Sequence, residues 1–224
     1  MLEHLGQVNI VTGHYGSGKT NLAVNLAADL KARGEEVTLV DLDIVNPYFR
    51  SADFAGQMAE KGIRVMAPQF ANTNLDIPAL GPEIFAAFSG EFPGRVIVDV
   101  GGDDAGAFAL GRYAAEASRR DYRMIYVVNF FRCLTREPQE ALQVLREIEA
   151  ASRLKGSAIV NNSNLAGETS PGDILASIAH AERTAEAAGL PLWGTAVRRD
   201  LAPKLGKGSF YPVDIYVRPP WERP

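Results

Sequence analysis

The sequence predicts a three-layer α/β fold, a doubly wound and mostly parallel sheet with helices on both faces, formed as a single domain over residues 1–224. Three observations predict it. Short apolar runs alternate with stretches of helical spacing along the whole chain, the pattern of repeated βαβ units. A glycine-rich octapeptide, Gly13-His14-Tyr15-Gly16-Ser17-Gly18-Lys19-Thr20, separates the first apolar run from the first helical stretch. Asp41, Asp43 and Asp99 fall where apolar runs end. With 224 residues, 46% hydrophobic and 22% charged, the chain is long enough for one large domain with a core. No internal repeat or linker interrupts it.

The first expected strand is Val8-Asn9-Ile10-Val11-Thr12, and the glycine-rich loop follows it directly. From about Lys19 to Ala32, Leu22, Ala23, Val24, Leu26, Ala27 and Leu30 recur at helical spacing, and Arg33-Gly34 ends that helix. Glu36 to Val40 forms the second strand and delivers Asp41-Leu42-Asp43 at its carboxyl end. A short helix then leads to a third strand at Ile63 to Met66. Further strands are expected at Arg95–Asp99, Met124–Val128, Ser157–Val160 and Leu192–Val197, with helices over 79–89, 106–119, 137–152 and 172–189 between most of them. Phe210 to Val217 reads as an edge strand, because the prolines at 219, 220 and 224 oppose a helical tail.

A formal net charge of -4 argues against a nucleic-acid partner, since neutralising phosphates takes a clustered basic surface. The single cysteine, Cys133, forms no internal disulfide and no zinc site alone, which fits a reducing cytoplasm. It is expected to be a small, at least half-buried residue after a strand. Met1 to Gln7 lacks the basic-then-apolar order of a signal peptide. No apolar run reaches bilayer length, so no membrane anchor is expected.

The octapeptide fits the pattern G-x-x-x-x-G-K-[ST]. Its glycines let the backbone curl so that successive N–H groups face inward at phosphate oxygens, and the helix it opens presents a positive dipole end there. Gly13, His14, Tyr15, Gly16, Ser17, Gly18, Lys19 and Thr20 are therefore the expected nucleotide-binding residues. Lys19 would reach the β- and γ-phosphates, and the Thr20 hydroxyl would face Mg²⁺. In open α/β sheets ligands sit beyond the carboxyl ends of the strands, which gives weight to the acids there. Asp99, followed by the flexible Val100-Gly101-Gly102-Asp103-Asp104-Ala105-Gly106, is a candidate metal residue, direct or through water. Asp43 is a second metal candidate and the candidate orienter of an attacking water. Asp41, two residues away on the same strand face, competes with it. Asp103 and Asp104 read as solvated loop acids.

The octapeptide, Asp41-Leu42-Asp43-Ile44-Val45-Asn46, Val96-Ile97-Val98-Asp99-Val100-Gly101-Gly102 and Ile159-Val160-Asn161-Asn162 together resemble the MinD/ParA branch of P-loop ATPases. The wider group includes the nitrogenase iron protein, metal-centre maturation ATPases, and CobQ, CobB and dethiobiotin synthetase. The resemblance spans most of the chain in order. It implies ATP and Mg²⁺ as cofactors, Asp43 as the residue that orients the water, and Asp99 as the metal-side acid. It makes Asn161 the contact to adenine, with Asn162 as rival. An amide suits adenine because it donates and accepts together. ATP is preferred to GTP because no N-K-x-D follows that strand.

The departures matter too. The branch carries a signature lysine at the second loop position, reaching across a dimer to the partner's phosphates, whereas this chain has His14. Arg50 is the candidate substitute, since a guanidinium can grip phosphate oxygens in a bidentate way. The terminal amphipathic helix of MinD proteins is replaced by Ile215 to Pro224, and the paired interface cysteines of iron-sulfur carriers are missing. His4 and His180 read as ordinary surface or helix residues. The pairs Arg119 with Arg120, Arg132 with Arg136 and Arg198 with Arg199 are candidates for contact with phosphate or ribose, but surface solvation is the first reading of each.

The expected function is a slow Mg²⁺-dependent ATPase acting as a nucleotide-dependent switch, with an unidentified protein partner and a possible homodimer. The alternatives are a small-molecule kinase or ligase of the dethiobiotin synthetase type and a nucleotide-binding module that does not hydrolyse.

Overall fold

A computed structural model describes residues 1–43, 55–67, 81–102 and 104–217. Eight strands form one sheet: β1 (Val8–Thr12), β2 (Val37–Leu42), β3 (Arg64–Met66), β4 (Arg95–Val100), β5 (Tyr122–Val128), β6 (Ala158–Asn161), β7 (Leu192–Arg198) and β8 (Phe210–Val213). Their order is β3-β2-β4-β1-β5-β6-β7-β8, and every pairing is parallel. The helices are α1 (Lys19–Ala32), α2 (Ala55–Glu60), α3 (Pro82–Ser89), α4 (Asp104–Gly111), α5 (Ala114–Ser118), α6 (Pro138–Ser152) and α7 (Pro171–Ala188).

The two larger of three apolar clusters lie on opposite faces of the sheet, as side chains alternating along each strand require, and the third gathers Ile174, Val197, Leu201 and Leu205. Ile10, Val98, Val100, Tyr126 and Ile159 point to one face, beneath α3 to α7 with Phe88, Leu110 and Leu145. Val11, Leu39, Ile97, Val127 and Val160 point to the other, where α1 brings Leu22, Leu26 and Leu30 and α2 brings Met58. Such fully buried aliphatic side chains stabilise by about 1.5–3 kcal/mol each. The phosphate-loop helix is therefore seated against a rigid sheet.

Register brings the acids together. β4 lies between β1 and β2, and the pairings Asp41 to Asp99 and Val11 to Asp99 place these residues on one rung at the carboxyl edge.

Three expectations change. The helix expected over 106–119 is divided into α4 and α5 at Arg112-Tyr113. The Gly111 carbonyl accepts the Arg153 guanidinium from the end of α6, while the Arg112 and Tyr113 amides close tighter turns on Ala109 and Leu110. The last strand ends at Val213 rather than 217, because side chains of α1 take over the backbone. Asn25 Oδ1 accepts the Asp214 amide at 2.8 Å, and Asn21 Oδ1 accepts those of Tyr216 and Val217 at 2.9 and 3.2 Å. Cys133, expected to be at least half buried, is exposed, because the turn after β5 carries it outward. Among the described residues no helix is long and apolar enough to cross a membrane.

Candidate functional site

The octapeptide connects β1 to α1 at the carboxyl edge of the sheet, with Gly18 as N-cap of the helix at φ 85°. That left-handed backbone favours glycine. Space demands it as well, since a Cβ on Gly18 would collide with the Asn162 side-chain nitrogen. Asn162 Nδ2 donates to the Ser17 carbonyl at 2.7 Å, and Arg132 Nε donates to the Gly16 carbonyl at 3.2 Å. Two successive carbonyls of the loop are thus held by side chains from outside it. Within the loop the Ser17 amide donates to the His14 carbonyl at 3.2 Å.

Lys19 is 6% exposed and its Nζ donates to the His14 carbonyl at 3.1 Å. Thr20 is nearly as enclosed, whereas Tyr15 stands in solvent. Partial burial, with Lys19 nearby, pushes the His14 pKa below its ordinary value, so this imidazole favours its neutral form near pH 7. Asp41, Asp43 and Asp99 are all buried. Asp41 Oδ1 accepts the Asp43 amide at 2.9 Å, so Asp41 acts on the turn that carries Asp43.

The loop after β4 closes over this cradle. Gly102 lies so near the phosphate loop that a Cβ on it would stand 2.6 Å from the Tyr15 amide nitrogen and 2.8 Å from Lys19 Nζ. Thr20, Asp43 and Asp99 supply a hydroxyl and two carboxylates, the hard oxygen donors that Mg²⁺ takes along with water and phosphate. The buried hydroxyls of Thr12 and Ser17 have no hydrogen-bond partner among the described residues, so polar capacity is held in reserve beside the cradle. The donor set fits a magnesium-bound phosphate chain. No group of three or more histidine, cysteine, aspartate or glutamate residues forms a metal cage among the described residues.

The two asparagines after β6 are placed differently. Asn161 is fully buried. Its Nδ2 donates to Ser177 Oγ at 2.8 Å and Thr195 Oγ1 at 3.3 Å, and its Oδ1 accepts from Ser163 N and Oγ. Asn162 instead holds the phosphate loop. Arg198 and Arg199 pair with Asp200 and Asp214 at 2.6 and 2.7 Å, around an open cleft of about 420 Å³ also lined by Val213 and Ile215. Arg50 and Asp103 lie outside the described residues. His180 is buried, with Nε2 3.1 Å from the Thr135 carbonyl and its ring against Phe130, so the surface reading does not apply to it. Sequence reasoning set Arg132 aside as solvated, where it in fact holds the Gly16 carbonyl, and missed the bracing role of Asn162. Neither has a spacing signal, because both reach the loop from other strand ends.

A glycine-rich loop leading into a buried lysine and a helix, with acids on the neighbouring strands of a parallel sheet, defines a P-loop nucleotide-binding protein. The model of the CobQ/CobB/MinD/ParA nucleotide binding domain matches residues 8–200, and the chain belongs to that family. No curated protein sequence matches it significantly. Among solved structures it is similar to the cell division protein FtsY of Thermotoga maritima, with TM-score 0.56 and 17% identity over 85% of this chain. It is also similar to the signal recognition particle 54 kDa protein of Aeropyrum pernix K1, solved in complex with GDP, with TM-score 0.54 and 17% identity over 84% of this chain. FtsY of Mycoplasma mycoides gives TM-score 0.55 and 16% identity over 86% of it. These likenesses concern the fold. The matches cover only 61%, 40% and 60% of those proteins.

Proposed function

We propose that this chain is a Mg²⁺-dependent ATPase whose nucleotide state repositions the loops around 43–50 and 100–106 and so alters contact with a protein partner. The observation that carries the reading is Gly102 against Tyr15 and Lys19. Phosphate arriving at the Lys19 ammonium meets the loop that follows Asp99, so occupancy and loop position are coupled by exclusion of volume. Lys19 and the inward N–H groups stabilise charge on the phosphates. Asp43 places the water for in-line attack, with Asp41 holding its turn. Thr20, Asp43 and Asp99 would hold Mg²⁺, which supplies charge neutralisation when bound.

Adenine is favoured over guanine by the segment Asn161-Asn162-Ser163-Asn164. Asn164 stands where the final aspartate of N-K-x-D would, and its amide already donates to the Asn162 carbonyl at 2.7 Å. A carboxylate that takes two guanine donors is missing there. Asn161 is the proposed base contact. Its bond to Thr195, the longest that it donates, is the one that a base edge would replace.

The test is phosphate release by the purified chain with Mg²⁺ and either ATP or GTP, beside a Lys19→Ala variant. Slow release from ATP that exceeds release from GTP, is abolished by chelation and falls on the order of a hundredfold in Lys19→Ala supports the reading. Release no greater than that of the variant overturns it. Turnover that appears only with an added metabolite would put the kinase or ligase reading in its place.

A further inference from the structure

Arg132 sits in the turn between β5 and α6, and that turn is built rigidly around Asn129. The Asn129 carbonyl accepts from Thr135 Oγ1 at 2.6 Å and from the Arg132 amide at 3.0 Å, and its Oδ1 accepts from the Phe131 amide at 3.0 Å. Ser163 Oγ accepts the Phe130 amide at 2.9 Å, and the His180 ring supports Phe130 from α7 with centroids 4.6 Å apart. The backbone that carries Arg132 is therefore fixed on both sides.

From that base the side chain runs along Gly16. A Cβ on Gly16 would stand 3.5 Å from Arg132 Nε and 3.7 Å from Cδ, and Nε itself donates to the Gly16 carbonyl. The guanidinium is anchored through Nε beside the phosphate loop, and Arg132 as a residue is exposed. Arg198 and Arg199, at the same edge of the sheet, are each neutralised by an aspartate. Among the described residues no carboxylate lies within ion-pair distance of Arg132, and Nε makes its one hydrogen bond. Within Gly13 to Thr20 the one lysine or arginine is Lys19, so the loop itself brings a single permanent positive charge to a chain of phosphates.

We propose that Arg132 binds a phosphate oxygen of the nucleotide through its terminal nitrogens, in the same subunit, and supplies the second positive charge of the phosphate site. This rests on the nucleotide-binding reading above. A guanidinium suits the task because it presents several donors in a fixed plane, so that Nε keeps its hold on Gly16 while the terminal nitrogens engage an anion. The ordered turn lowers the entropy lost on contact.

The experiment is calorimetric binding of Mg²⁺-ATP and Mg²⁺-GTP to the wild-type chain and to Arg132→Ala, Arg132→Gln and Arg132→Lys, with thermal midpoints measured without nucleotide. A charge-assisted contact predicts weakening of about 10- to 100-fold in the alanine and glutamine variants. Lysine keeps the charge and loses the Nε bond, so it should recover most of the affinity. The difference between wild type and alanine should also shrink at high salt. A lysine variant as weak as alanine would overturn the proposal, because bracing of Gly16 alone would explain the loss. Wild-type affinity in Arg132→Ala would overturn it too. A folded wild-type chain that binds neither nucleotide would show that the nucleotide reading itself fails, a result distinct from any effect at position 132.

Discussion

Replacing Gly102 by alanine tests the coupling between the phosphate loop and the loop after β4. The new methyl group would lie 2.6 Å from the Tyr15 nitrogen, 2.7 Å from its Cα and 2.8 Å from Lys19 Nζ. Ordinary van der Waals contact begins at 3.4 Å, so the backbones must part by about 0.8 Å, because the two nearest atoms belong to the Tyr15 backbone. Lys19 Nζ can swing aside, but the Tyr15 backbone cannot move without disturbing the held carbonyl of Gly16. Overpacking of this kind costs about 1–3 kcal/mol, and about 2–4 °C of melting temperature per kcal/mol in a chain of this size. Without nucleotide, Gly102→Ala should therefore melt about 2–12 °C below wild type. Phosphate release should fall as well, because the loop next to Asp99 is held off its seat. Melting curves and a phosphate-release assay on the same preparations decide it. An unchanged melting temperature would refute the contact, and unchanged turnover despite lowered stability would refute the coupling.

Asn162→Ala removes the donor to the Ser17 carbonyl and should cost about 1–3 kcal/mol, read as a lower urea midpoint together with weaker nucleotide binding. With Asn162 truncated, the collision that an alanine at 18 would meet is relieved, so Gly18→Ala should destabilise Asn162→Ala less than wild type in a double-mutant cycle. Burial lowers the His180 pKa, against the raising effect of its bond to the Thr135 carbonyl. The unfolded chain then binds more protons, and the stability that neutral His180 contributes is lost as pH falls from about 6.5 through the depressed folded value. Urea midpoints at about pH 7.5 and about pH 5.5 should differ less in His180→Gln than in wild type, since His14 titrates in both.

Most strands were legible because they are buried on both faces and read as continuous apolar runs, Val96-Ile97-Val98 and Ile125-Tyr126-Val127-Val128 among them. The break between α4 and α5 was not, because it depends on Arg153 reaching the Gly111 carbonyl from α6. The end of β8 was set in the same way by Asn21 and Asn25, nearly the whole chain away in sequence. Cys133 was misjudged because a small residue soon after a buried strand is commonly covered, while the turn here directs position 133 outward.

By itself the sequence determined the phosphate loop, the parallel α/β class and the acids at the strand ends. These follow from local pattern, since backbone curvature, strand burial and a carboxylate after an apolar run are each encoded within a few neighbouring residues. The tertiary structure alone decided that β4 lies between β1 and β2, which puts Asp41 and Asp99 on one rung. It alone decided that Asn162 and Arg132 hold the outer carbonyls of the loop and that Gly102 covers Lys19. Those contacts join segments distant in sequence at one edge of the sheet, and their partners are set by strand order and close packing, which no local spacing records.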